Sequence, residues 1–195
     1  KIALEKYPDN KEIKNNFAIF LYKCGFQNEA LDIYKEFEKK KLHFNDSYIN
    51  YCNILIEIND LDKALQNLNK LLSFDEKNLN GLRQRHFVYK CLSNYSKAEE
   101  DLLRAIDIDN FNFLTNKTLV DFYIDTKKFD KAIICCDLMI SKEIEKNFFI
   151  TKKIVSQIHI GNWIDLKENL IIFNDFIDEN NLAIKPLALK YINDD

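Results

Sequence analysis

The chain has 195 residues, a net charge of −3, and 47% hydrophobic against 30% charged residues, a globular composition that excludes a disordered polar chain. Three glycines and two prolines are too few for a fold of many tight turns, so long helices joined by short turns are expected. Neither half is strongly basic, which removes the electrostatic footprint of a nucleic-acid binder, and no apolar run approaches the ~20 residues that span a bilayer.

No basic-then-apolar signal segment opens the sequence, and the chain reads as cytoplasmic, without membrane contact. It starts at Lys1, not at a methionine, which reads as a piece of something longer. Cys24, Cys52, Cys91, Cys135 and Cys136 form no C-x-x-C pair, and the three scattered histidines add no metal-ligand spacing. The cysteines read as small hydrophobes in a reducing compartment, and no cofactor is expected.

One short pattern returns along the chain: "GFQNEAL" at Gly25, "NDLDKAL" at Asn59, "SNYSKAE" at Ser93, "KKFDKAI" at Lys127 and "GNWIDLK" at Gly161. Each start lies 34 residues after the last. A small residue recurs in it, at Ala30, Ala64, Ala98 and Ala132, with Leu166 in the fifth unit. Four residues later stand Tyr34, Leu68, Leu102, Cys136 and Leu170; seven later stand Phe37, Leu71, Ala105, Met139 and Phe173. That spacing is one face of a helix. Upstream, Leu21, Leu55, Tyr89, Tyr123 and Gln157 stand nine before the small residue, and Phe17, Tyr51, Arg85, Leu119 and Lys153 thirteen before it. They are expected to be the core face of a second helix. Each unit is then a hairpin of two helices of about 14 residues, which buries its apolar faces only by stacking on its neighbours. The alanines mark where the two helices cross closely, and Leu61, Tyr95, Phe129 and Trp163 are expected to cover the turns.

This pattern resembles the tetratricopeptide repeat (TPR), whose period is 34 residues and whose signature places small residues at the helix crossing. The resemblance implies an all-α right-handed superhelix of antiparallel hairpins. On it, residues 1–10 are the end of a truncated unit, with Ala3 at a second small position and Pro8 between units. Residues 11–178 are an array of about five units, and 179–195 a tail or linker. Leu42, Glu76, Asn110 and Ile144 replace the other inter-repeat prolines, and the fifth unit departs from the pattern at Lys153 and Gln157.

No nucleophile with base and orienting partner stands out, nor a glycine-rich phosphate loop, so no catalysis is expected within this chain. His86, at a core position, reads as a packed histidine. The resemblance implies an inner groove, lined by the first helices, that binds a peptide or protein. Fourteen residues before each small residue stand Asn16, Asn50, Gln84, Thr118 and Lys152, and a row of amides can hold a peptide backbone. Asn53, Arg83, Phe87, Lys117 and Asp121 are expected on the same face. The lysine-rich clamp of chaperone-binding members has no cations at its counterparts here, Asn15, Ile19, Asn50, Asn80 and Gln84, or one unit on, Ile49, Asn53, Gln84, Leu114 and Thr118.

From Ile164 to Asp178 the sequence reads as an amphipathic helix, followed by Asn180–Asn181, Pro186 and a still-apolar end. Asn162-Trp163 with Asp165, then Pro186-Leu187 and Asp194-Asp195, resemble the junction in bacterial O-linked N-acetylglucosaminyltransferase-like enzymes of the SPINDLY type. "LRQRHFVYKCL" from Leu82 is similar to a first helix common in those repeats. This implies a substrate-recruiting arm with a catalytic domain beyond Asp195. The alternative is a stand-alone adaptor with no enzyme attached.

Overall fold

The computed structural model describes residues 9–162 and Ile171. Among the described residues there are nine helices and no strand: α1 (Lys11–Lys23), α2 (Gln27–Lys40), α3 (Asn45–Glu57), α4 (Leu61–Phe74), α5 (Leu79–Cys91), α6 (Tyr95–Ile108), α7 (Phe113–Asp125), α8 (Phe129–Ser141) and α9 (Lys146–Ile160). The expectations for Ala3, Pro8, Trp163, Leu166, Leu170, Phe173, Pro186 and the tail fall outside the described residues. The chain divides into two compact units, the first ending at Ile108 and the second starting at Asp109.

In unit 1, α1 pairs with α2, α3 with α4, and α5 with α6; in unit 2, α7 pairs with α8, and α9 packs on α8. First helices also meet the next first helix: α1 with α3 and α3 with α5 in unit 1, α7 with α9 in unit 2. Short polar side chains start the helices. Asn10, Asp60, Asn78 and Asn112 each accept from the backbone N–H three residues on, at 2.9, 3.3, 2.8 and 3.0 Å. Each such cap contributes about 1 kcal/mol.

The recurring turn has a backbone reason. Gly25, Asn59, Ser93, Lys127 and Gly161 open the five copies of the pattern, and all five have positive φ, at 86°, 62°, 57°, 58° and 70°. The next residue's N–H then reaches back to a carbonyl in the last turn: Phe26 to Leu21, Asp60 to Leu55, Asn94 to Tyr89, Lys128 to Tyr123 and Asn162 to Gln157, at 2.7–3.0 Å. This is the Schellman closure of a helix C-terminus, for which glycine is the natural residue. Lysine carries a steric cost there that glycine lacks. Lys127→Gly is therefore expected to stabilise unit 2 by about 0.5–1 kcal/mol, seen as a higher urea midpoint. A lower midpoint would mean that the Lys127 side chain has a role of its own.

The second helices pack as the spacing predicts. Ala30, Tyr34, Phe37, Ala64, Leu68, Leu71, Ala98, Leu102, Ala105, Ala132, Cys136 and Met139 are all fully buried. For the first helices the expected stripe is corrected in part: nine before the small residue, Leu55, Tyr123 and Gln157 are buried, whereas Leu21 and Tyr89 are half-buried. Thirteen before the alanines and Leu166, Tyr51 and Leu119 are buried, but Phe17, Arg85 and Lys153 are half-buried. The continuous line runs one residue later, through Ala18, Cys52, His86, Val120 and Ile154, each at most 5% exposed. Here α3 lies close enough to α4, and α5 to α6, to use backbone acceptors: Cys52 Sγ approaches the Ala64 carbonyl at 3.6 Å, and His86 Nδ1 lies 3.1 Å from that of Ala98. Of the residues expected over the turns, Phe129 stacks on His159 with ring centroids 4.6 Å apart, whereas Tyr95 is exposed. Burial pushes the thiols of Cys52 and Cys136 up to about 12, so neither is a nucleophile near neutrality.

Two histidines make stability depend on pH. His43 stacks on Tyr48 at 4.4 Å between centroids, and burial pulls its pKa from 6.5 to about 4. Burial also lowers His86, against the pull of its bond to the Ala98 carbonyl. The unfolded chain thus binds more protons than the folded one between the ordinary histidine value and the lowered ones. Stability should be full above the ordinary value of 6.5 and fall as pH drops from there towards about 4. Urea midpoints across this range would measure it, and His43→Phe should flatten the slope; an unchanged slope would clear His43.

Candidate functional site

In unit 1 the expected inner-face residues come from α1, α3 and α5. Asn16 is exposed on α1, and Asn50 is half-buried on α3. Asn50 does not meet Asn16. Its Nδ2 reaches the neighbouring Asn15, 3.4 Å from Oδ1, and that same oxygen accepts the Tyr34 hydroxyl at 3.0 Å. Gln84 Nε2 donates to Asn53 Oδ1 at 2.6 Å, tying α5 to α3, while Gln84 Oε1 is buried without a partner. Arg83 donates to Asn80 on its own helix, and Phe87 is 45% exposed.

Between α1 and α3 these contacts frame a pocket of about 270 Å³ lined by Ile19, Tyr22, Lys23, Asn50, Asn53, Ile54 and Glu57. Two of the expected residues, Asn50 and Asn53, lie in its wall. At one side Tyr22 donates its hydroxyl to Glu57, and this bond, together with burial and the carboxylate's charge, pushes the tyrosine up to about 12. The hydroxyl therefore remains a donor throughout the physiological range.

In unit 2 the expected residues Lys117, Thr118 and Asp121 lie on α7. Lys117 Nζ bonds one Asp121 oxygen at 3.0 Å, and Lys152 of α9 reaches the other at 2.6 Å. Both ammonium groups sit over the Phe148 ring, 5.4 and 5.5 Å from its centroid. Burial alone would raise the Asp121 pKa, but the lysines overcome it and hold the carboxyl below its usual range. Thr118 turns its hydroxyl to the Leu114 carbonyl of its own helix at 2.7 Å.

Asn15, Ile19, Tyr22, Lys23 and Glu57 in unit 1, and Phe148 in unit 2, belong to these constellations although the row through Asn16, Asn50, Gln84, Thr118 and Lys152 did not select them. A signal for them exists in the spacing. Asn15–Asn50 and Tyr22–Glu57 are 35 apart, one period plus one residue. Asn53–Gln84 are 31 apart, one period less three, and Asp121–Lys152 share that spacing. Complementary polar residues at these two offsets mark where consecutive first helices touch. Among the described residues no cluster of metal-ligating side chains occurs, and no helix is long and apolar enough to cross a membrane.

The fold has counterparts of known structure. A tetratricopeptide repeat protein from Parabacteroides merdae matches over 87% of this chain and 67% of its own, at 18% identity and a TM-score of 0.67. A MamA protein matches over 90% of this chain and 97% of its own, at 17% identity and a TM-score of 0.71. YrrB, described as a TPR protein with an unusual peptide-binding site, matches over 89% of each chain at 16% identity and a TM-score of 0.65. The chain therefore has the TPR fold, an all-α helical repeat. No protein-family model and no curated protein matches the sequence.

Proposed function

We propose that this chain is a non-catalytic scaffold, cytoplasmic in setting, that binds an extended peptide or protein segment along the first helices. The observation that carries the reading is the pocket between α1 and α3, where Asn50 and Asn53 stand beside an apolar wall on the face formed by successive first helices. Amides beside small apolar recesses suit a peptide, whose backbone needs donors and acceptors and whose side chains need pockets. In unit 2 the corresponding helices carry Lys117, Asp121 and Lys152, a charged counterpart. YrrB's peptide-binding site, in a protein of the same fold, adds support by analogy.

The test is to select peptides from a random displayed library on the immobilised protein and measure their affinity by fluorescence anisotropy. Asn50→Ala combined with Gln84→Ala is expected to weaken binding about tenfold, the worth of one or two net hydrogen bonds, with an unchanged helical circular dichroism spectrum. A library that yields no ligand, or a double variant that binds as well as the parent, would set the reading aside.

A finer reading makes this scaffold the substrate-recruiting region of a larger glycosyltransferase. Its support is the sequence resemblance around Asn162-Trp163, Asp165 and Pro186-Leu187, with the catalytic domain lying beyond Asp195. Assaying the complete gene product for sugar transfer from nucleotide-sugar donors decides it. Transfer to a protein bound by this chain is the expected result, and the absence of turnover with every donor would leave the stand-alone adaptor.

A further inference from the structure

The pocket between α1 and α3 is polar at fixed points and apolar between them. Its orientation follows from a buried hydroxyl. Tyr34, fully buried, donates to Asn15 Oδ1 at 3.0 Å, so Asn15 must present its oxygen. Asn50 then approaches the same oxygen with Nδ2, at 3.4 Å, and its own Oδ1 is left as an acceptor at the pocket wall. Glu57 is exposed at the end of α3; the Tyr22 hydroxyl donates to its Oε2, and Oε1 has no partner among the described residues. Ile19 and Ile54 supply the apolar surface between these two acceptors.

Two acceptors, one of them a carboxylate, beside an apolar wall match one class of side chain. The methylenes of an arginine or lysine can lie along Ile19 and Ile54 while the charged head donates to Glu57 and Asn50. Lys23 also borders the pocket and opposes a second cation. It is exposed in the last turn of α1 and has no ion pair among the described residues, so nothing fixes its ammonium over the acceptors. We propose that this pocket receives a basic side chain of the bound peptide; the inference rests on the scaffold reading and names what its ligand carries.

The test uses blocked single amino acids as probes, followed by 1H–15N NMR on the intact chain. N-acetyl-arginine methylamide and its lysine counterpart are expected to shift the side-chain amide signals of Asn50 and Asn53 in a saturable way. N-acetyl-glutamine methylamide should not. Glu57→Gln should weaken the arginine probe about tenfold or more, since a charge-assisted bond is lost. Lys23→Ala should bind it a few-fold more tightly, as expected for removing a like charge near the surface. No shift with arginine, equal shifts with glutamine, or a Glu57→Gln variant that binds unchanged would each overturn the proposal. Selected peptides that bind the first helices without a basic residue would overturn it too, while leaving the scaffold reading intact. A library that returns nothing counts against the scaffold reading and against a peptide as the source of the side chain, while the single-residue probes still decide whether the pocket takes a basic group.

Discussion

Arg85→Ala is expected to destabilise unit 1 by about 3–5 kcal/mol, the cost of leaving a buried charge without its partner. Asp101 is 2% exposed, and the guanidinium grips it with two bonds, Nε to Oδ2 at 2.8 Å and Nη2 to Oδ1 at 2.6 Å. A third bond, Nη1 to Asn69 Oδ1 at 2.8 Å, ties the same side chain to α4. Arg104, with Nη1 4.0 Å from Asp101 Oδ1, makes only a long second ion pair and no hydrogen bond to it. The loss should be read from hydrogen exchange of the α5 and α6 amides, so that unfolding of unit 2 does not enter. A companion variant, Arg85→Met with Asp101→Leu, should recover most of the stability, because removing both charges leaves no unpaired ion. If the single variant cost under about 1 kcal/mol, the pair would be behaving as a solvated surface bridge.

Ala98→Leu is expected to cost about 1–3 kcal/mol by overpacking. Ala98 is fully buried, and its carbonyl already receives His86 of α5 at 3.1 Å, so the two helices have no slack at this crossing. A leucine must force α5 and α6 apart or adopt a strained rotamer. Thermal melting measures the effect, with Leu103→Ala as a comparison because Leu103 is 43% exposed on the same helix. An unchanged melting temperature for Ala98→Leu would remove the close-crossing explanation of the recurring alanines.

The hairpins were legible in the sequence because a helix face buried on one side repeats its small and large residues at fixed intervals. Ala30, Tyr34 and Phe37, and their copies in the next three units, took their expected places for that reason. The first helices were harder to read. They pack against two neighbours and also present a polar face, so their burial is split over adjacent positions. Arg85 and Lys153 fall on the expected stripe, yet each reaches out to a carboxylate, Asp101 or Asp137. The division after Ile108 left no mark in a period that runs through it unchanged. Of the candidate site, the row through Asn50 and Gln84 was visible, but its actual partners, Asn15 and Asn53, depend on the stagger between consecutive helices. A single helix does not encode that stagger.

The amides on the first helices already have work before any ligand arrives. Gln84 holds Asn53, and Asn50 holds Asn15, across the joints between successive hairpins of unit 1. A peptide that draws on these groups exchanges an internal tether for an external one, so its affinity is a difference between two sets of bonds. On the proposed scaffold reading, a segment long enough to reach both joints would exchange two internal tethers, and a shorter one only one.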